Sequence, residues 1–276
     1  MNQLGFQVDP GRCDRCGVCV RDCPRSIIRQ EEDGLPAIPA ESGGDCLECQ
    51  HCLAVCPAGA VSIFGLKPES SLSLAGDAWP TRRQMKTLVR GRRSVRQYRD
   101  EAAPAALVDE LLADLAYAPT GCNDRDLDFI VVADRASLEK LRENIVSALE
   151  ARQRAGAALP GFLVKAMEAH RRHGKDGFFR GAPQLLVVSP GTRATCGRED
   201  AVLALAYFEF LAQSAGLGTA WCGMLGFAAE AAPEIRLPLG LRPDAYFYAM
   251  MFGCPDVRYA RTIQREAAAR IRQVRL

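Results

Sequence analysis

Eight of the chain's twelve cysteines lie between residues 13 and 56, in two copies of one pattern. Cys13, Cys16, Cys19 and Cys23, the last followed by Pro24, read C-x2-C-x2-C-x3-C-P; Cys46, Cys49, Cys52 and Cys56, followed by Pro57, repeat it. Such an internal duplication dominates any account of the fold. Residues 1–66 are too few to build a sufficient hydrophobic core, so whatever the thiolates bind must also act as the staple. The chain opens polar, without the apolar stretch of a signal peptide. Its longest nearly apolar run, residues 201–212 broken by Glu209, is about half of the roughly 20 residues of a membrane span. No membrane segment is therefore expected, and the cytoplasm is the expected compartment. Disulfides are disfavoured there, which leaves metal ligation or catalysis for the cysteines.

The repeat resembles the bacterial two-cluster ferredoxins. That resemblance implies two 4Fe-4S clusters, one held by Cys13, Cys16, Cys19 and Cys56 and the other by Cys46, Cys49, Cys52 and Cys23. Three closely spaced thiolates curl around one cluster, and the fourth, on the turn after it, faces the other. Four-cysteine zinc sites also use C-x2-C pairs, but rarely three cysteines at successive two-residue gaps followed by C-P. His51 stands inside the second repeat at a non-ligand position, expected on the surface or beside the cluster ligands. Residues 31–36 read as a turn, and Ile27-Ile28 and Ala60-Val61-Ser62-Ile63 as short strands after each C-P turn. The head carries five Arg against nine Asp and Glu, so it is acidic, whereas the rest of the chain is basic.

Residues 67–80, rich in Pro, Ser and Gly, read as a linker, and 81–276 as a larger body. Helical periods are expected over 105–117 (Leu107, Leu111, Leu112, Leu115) and 137–149 (Leu138, Leu141, Ile145, Leu149), with strands at 129–132, 185–188 and 246–252. The stretch 199–215 reads as a buried central helix ended by Gly216, and the Arg-rich tail from Thr262 as a further helix. An α+β body follows. It has no dinucleotide fingerprint, P-loop or nucleophile elbow. Residues 82–99 hold eight Lys and Arg and no acid. Without interleaved aromatics this basic run does not point to nucleic acid; a bound phosphate or a solvated helix face accounts for it.

Arg92-Arg93-Ser94-Val95-Arg96-Gln97-Tyr98, Ala118-Pro119-Thr120-Gly121-Cys122-Asn123, Gly181-Ala182-Pro183, Gly216-Leu217-Gly218-Thr219-Ala220-Trp221-Cys222-Gly223 and Phe252-Gly253-Cys254-Pro255 stand in the order of the nitroreductase family of FMN enzymes, which residues 82–276 resemble. The resemblance implies a central FMN-binding sheet flanked by helices and an interlocked homodimer with FMN at the interface. By the same resemblance, Arg92, Arg93, Ser94 and Arg96 grip the FMN phosphate and ribityl chain, with Arg258 and Arg261 as further phosphate ligands. Pro119, Thr120, Gly121 and Asn123 approach the flavin of the other subunit, and Trp221, Cys222 and Gly223 face its reactive edge. The chain departs from the family at Arg125-Asp126-Leu127, where Gln-Pro-Trp is frequent, and at Cys222, where many members carry Glu.

Cys222, and Cys122 in the Pro119–Asn123 stretch, are expected to be small buried thiols rather than reactive ones. His170 and His173 are expected as solvated helix residues rather than half a metal site, and Phe178 and Phe179 as caps on a pocket. The expected activity is an FMN-dependent reductase whose own clusters pass electrons to the flavin, acting on a small electron-poor acceptor such as a nitroaromatic, quinone or activated alkene. An external ferredoxin or another donor would supply the electrons. The competing readings are a specialised reaction such as reductive dehalogenation or flavin breakdown, and a non-enzymatic redox sensor or electron carrier.

Overall fold

A computed structural model describes residues 4–74, 76, 79–265 and 270–275. The chain divides into two compact units, Met1–Pro80 and Thr81–Leu276.

In the first unit, β1 (Gln7–Val8) pairs antiparallel with β4 (Val61–Ser62), and β2 (Arg29–Gln30) with β3 (Pro36–Ala37). Two single-turn helices, α1 (Val18–Asp22) and α2 (His51–Ala54), each carry the third cysteine of a repeat. The duplication extends to the backbone. Arg15 and Glu48, Gly17 and Gln50, and Ser26 and Gly59 occupy the left-handed region in pairs 33 residues apart. Phe6, Ile27, Ile28, Leu53, Val61 and Ile63 form a small core with Cys19 and Cys52. Ile27 and Ile28 are buried, but the strand starts after them, at Arg29, where the turn over 31–35 closes the hairpin. The expected linker also differs at its start. Pro68–Ser70 forms a helical turn whose Glu69 pairs with Arg12, and Arg12 Nε donates to Ala58 O (3.3 Å).

The second unit is built on a four-stranded antiparallel sheet of order β5-β6-β8-β7, comprising β5 (Leu127–Val132), β6 (Gln184–Pro190), β7 (Gly218–Trp221) and β8 (Tyr248–Gly253). Side chains alternate across a strand, and here both faces are covered. Leu185, Val187, Ala249 and Met251 enter one core with α5 (Arg135–Arg154), α6 (Gly161–His173) and α8 (Gly223–Ala231). Leu186, Val188, Met250 and Phe252 enter the other with α4 (Ala105–Asp114) and α7 (Gly197–Ser214). That double burial is why the strands read as unbroken apolar runs. The edge strand β5 is only half-buried.

Sequence expectations also fail elsewhere in this unit. Cys122 is exposed rather than buried, because the loop that carries it turns its side chain outward. On α7 the outward Val202, Leu203 and Tyr207 are exposed, so the helix is not buried all round. Phe178 and Phe179 are fully buried core residues, not caps. His170 is partly buried, its side chain largely covered and held against Glu143 rather than solvated, because α6 packs on α5, which places the two side chains together. The tail has no helix among its described residues, 262–265 and 270–275; the remainder of that expectation lies outside the described residues. No helix among the described residues is long and apolar enough to cross a membrane.

Candidate functional site

Two cavities open in the first unit. One is lined by Cys46, Cys49 and Cys52 of the second repeat and by Cys23 of the first. The other is lined by Cys13, Cys16, Cys19 and Cys56. The fourth cysteine of each repeat thus joins the cavity of the other. Burial pushes the Cys19 and Cys46 thiols up and the Cys52 thiol up to about 12. A backbone amide opposes this at Cys46, where the N–H of Glu48 donates to Sγ (3.4 Å). The N–H of Ala60 likewise donates to Cys56 Sγ (3.3 Å). Among the described residues no three His, Cys, Asp or Glu side chains group so as to hold a single ion. Thiols spread around a cavity and supported by N–H donors suit a polynuclear iron–sulfur cluster better than one zinc. His51 is on the surface, its Nδ1 3.2 Å from Asp22 Oδ2.

In the second unit the basic run divides into α3 (Arg82–Gly91), opened by a Thr81/Gln84 capping box, and an extended segment after it. That segment is stitched to two strand ends. Val95 N donates to Thr219 O (2.8 Å), Arg99 N to Cys254 O (2.9 Å), and Asp256 N to Gln97 O (2.9 Å). Close approach depends on Gly218, since a Cβ there would lie 2.8 Å from three carbons of Val95. Tyr98 Oη donates to Val95 O (2.9 Å). Arg92 Nη1 meets Glu209 Oε1 of α7 at 2.9 Å, and Arg96 Nη1 donates to Ser94 O (3.3 Å). Ser94 bridges to Thr219, whose buried Oγ1 has no hydrogen-bond partner. No ion pair among the described residues engages Arg93, Arg96, Arg258 or Arg261, and Arg96, Arg258 and Arg261 are exposed.

The segment Trp221-Cys222-Gly223 leads from β7 into α8. Trp221 packs at a tilt on Tyr248, ring centroids 5.4 Å apart. Cys222 N donates to Ala249 O (2.9 Å), and full burial pushes the Cys222 thiol up to about 12. Its N–H is therefore spent within the sheet, and the first-turn amides of Gly223 and Met224 are the donors left facing out of the helix. The loop Pro119–Asn123 is anchored elsewhere. Gly121 N donates to Asp200 Oδ1 (2.9 Å), near the start of α7, and Arg125 N to Thr120 Oγ1 (3.0 Å). Asp126, at the family departure, accepts from Arg193 N (2.8 Å), and its carbonyl accepts from Gly191 N (2.8 Å).

Sequence reasoning had not singled out Asp200, Thr219 or Tyr248 for any role, and Glu209 only as a break in an apolar run. Asp200 and Glu209 are the buried acids of α7. An acid inside an apolar helical period was the available signal for Glu209.

A model of the nitroreductase family matches residues 89–254, and one of the 4Fe-4S dicluster domain matches residues 12–61. A curated relative from Methanothermobacter thermautotrophicus, a putative NADH dehydrogenase/NAD(P)H nitroreductase, is 38% identical over 55 residues, 20% of this chain; the match spans 29% of that relative's length. Among solved structures, a nitroreductase with bound FMN from Bacteroides fragilis superposes with a TM-score of 0.54 at 22% identity, covering 68% of this chain and 99% of its own. One from Desulfitobacterium hafniense, also with bound FMN, gives 0.52 at 20% identity, covering 68% and 97%. With the family model matching more than half of its length, the chain belongs to the nitroreductase family of oxidoreductases and carries an N-terminal 4Fe-4S dicluster domain.

Proposed function

We propose that the protein is an FMN-dependent reductase with its own two-cluster electron supply, acting on a small electron-poor acceptor such as a nitroaromatic, quinone or activated alkene. The observation that carries this reading is the crosswise division of eight thiols between two cavities, in a chain that continues into a nitroreductase fold. Cys13, Cys16, Cys19 and Cys56 would hold one cluster, and Cys46, Cys49, Cys52 and Cys23 the other. Arg92, Arg93, Ser94 and Arg96, with Arg258 and Arg261, would hold the phosphate and ribityl chain of FMN. The fit is supported by the unpartnered Thr219 Oγ1 beside Ser94 and by Arg93, Arg96, Arg258 and Arg261, which make no ion pair among the described residues. When bound, the clusters supply one-electron transfer and FMN the exchange of one or two electrons with the acceptor. The chain's own part is to bind and orient. Trp221 and Tyr248 form one wall, and the outward amides of Gly223 and Met224 offer donors to the electron-rich edge of a ring.

A homodimer belongs to this reading. Asp200 anchors the Pro119–Asn123 loop and Glu209 anchors Arg92, nine residues or about 13 Å apart along α7. A loop held that far from the Arg92 segment of its own chain is suited to a second copy's flavin. The exposed Val202, Leu203 and Tyr207 on α7 support such a contact. A reducing cytoplasm suits the eight thiols, and an external ferredoxin or another soluble donor would load them.

Anaerobic analysis of freshly purified protein tests the cofactor set. About eight iron and eight sulfide per chain, with about one FMN, is expected; zinc without sulfide would overturn the first half. A screen of nitroaromatic, quinone and alkene acceptors under reducing, oxygen-free conditions tests the activity, and no turnover with any of them would refute the acceptor class.

A further inference from the structure

Glu209 is an acid 7% exposed by its side chain, on a helix face otherwise made of Leu205, Phe208 and Ala212. A buried carboxylate is unfavourable unless it is paired. Among the described residues its ion-pair partner is Arg92, Nη1 to Oε1 at 2.9 Å, and the arginine is itself mostly covered, at 26% exposure. Arg92 sits at the C-terminal cap of α3, its own N–H donated to Leu88 O, so its backbone is fixed at the point where the basic segment begins. A guanidinium is a rigid fork. With Nη1 committed to Glu209, the plane of the fork is set, and the remaining donors are held ready instead of being ordered on binding.

We infer that Glu209 is a positioning residue: by fixing the Arg92 guanidinium it sets the preference of the flavin site for a phosphorylated over an unphosphorylated flavin. This rests on the FMN reading above and assigns a determinant of ligand choice to a residue that touches no part of the ligand. Two effects compete. Glu209 brings a negative charge near the phosphate, which opposes binding, and it orients Arg92, which favours binding. The 2.9 Å contact, with Glu209 buried and Arg92 largely covered, makes orientation the larger effect, because a loose arginine would have to give up several rotamers to grip a dianion.

The test uses the full-length chain with clusters intact and flavin removed, titrated with FMN and separately with riboflavin by quenching of flavin fluorescence. Wild type, Glu209→Gln, Arg92→Ala and the double variant are compared, with thermal melts recorded for each. Wild type should prefer FMN. Glu209→Gln should weaken FMN on the order of tenfold, with riboflavin changed less than about twofold. Arg92→Ala should erase a similar share of the preference, and Glu209→Gln added to it should change the ratio no further. Because the readout is a ratio of two ligands on one sample, a partly unfolded variant does not imitate the effect. Equal weakening of both flavins by Glu209→Gln would reduce Glu209 to a structural ion pair, and tighter FMN binding would show repulsion to dominate; either result overturns the inference. Failure of the underlying reading looks different: wild type itself would bind neither flavin, or both alike.

Discussion

Gly218→Ala is the most demanding test of how the phosphate-binding segment is held. The new Cβ would stand 2.8 Å from Val95 Cβ, Cγ1 and Cγ2 at once, where carbon contacts of about 3.5–4.0 Å are ordinary. Val95 is 4% exposed, so the residue cannot swing into solvent; the segment as a whole must retreat by roughly 1 Å. Overpacking of this kind costs about 1–3 kcal/mol. The retreat also stretches the 2.8 Å bond from Val95 N to Thr219 O, adding about 0.5–1.5 kcal/mol. The combined loss, about 1.5–4.5 kcal/mol, corresponds to a fall of roughly 3–18 °C in the melting temperature of a body this size. Differential scanning calorimetry of the intact protein measures it, and a parallel FMN titration should show weaker binding, because Ser94 and Arg96, the neighbours of Val95, move with it. Val95→Gly removes every contacted carbon, so the double variant should show a favourable coupling of at least about 1 kcal/mol between the sites. If Gly218→Ala melts within about 1 °C of wild type and binds FMN unchanged, the close approach of the two backbones is not what seats the segment.

Cys56→Ser should remove the same cluster signal as Cys13→Ser, and Cys23→Ser the same as Cys49→Ser, each with loss of about half the iron; pairing of Cys56 with Cys49 instead, by low-temperature electron paramagnetic resonance, would refute the crossed arrangement. Chelation of iron after oxidation should unfold the first unit's secondary structure, since its core is only a few side chains deep; an unchanged far-ultraviolet spectrum contradicts this. Cys222→Ala should leave turnover within about threefold, and the native thiol should resist alkylation at pH 8, because burial holds its pKa near 12 while exposed Cys122 labels readily. Asp200→Ala frees the amide of Gly121 and should speed hydrogen exchange over residues 119–123 by about tenfold or more, with little change at residues 94–97.

How far the residues announced this arrangement depends on which physical signal they carry. Cysteine spacing and the apolar runs of β6 and β8 were legible because ligand geometry and double-sided burial each demand a residue type at a fixed interval. The left-handed turns beside the cysteines were not, since Arg15, Glu48, Gln50 and Ser26 stand where glycine is favoured; a chain that wraps a cluster overrides that preference. Phe178 and Phe179 were misread because nothing local distinguishes an aromatic lid from a core anchor. Their burial follows from Asp176, whose carboxylate accepts the N–H groups of Phe178, Phe179 and Gly181 and folds that turn inward. His170 was misread for a related reason: its partner Glu143 lies 27 residues away on α5, beyond any helical period.

The two acids of α7 show where chemistry hides inside a packing pattern. In a helix that shares a core with Leu186, Val188, Met250 and Phe252, each acid forgoes apolar burial and carries a desolvation penalty, so each needs a compensating partner. Asp200 has an amide of the Pro119–Asn123 loop, and Glu209 has Arg92. Neither partner belongs to the helix or to the sheet beneath it; both are on irregular segments that the sheet alone would not hold. α7 therefore does two jobs, from opposite sides of the helix, since nine residues at about 100° each turn Glu209 about 180° from Asp200. It fills the core with apolar side chains and, at two points about 13 Å apart, exchanges packing for a polar anchor that fixes a loop proposed to meet flavin. Asp200 goes further than its anchor requires, because its second oxygen, Oδ2, is buried without a partner. A packing role alone would be met better by Asn, which matches the shape without the buried charge. Asp200→Asn consequently separates the two demands: it should raise the melting temperature if the carboxylate is only a structural acceptor, and lower flavin affinity if the charge is what holds the loop in its working position.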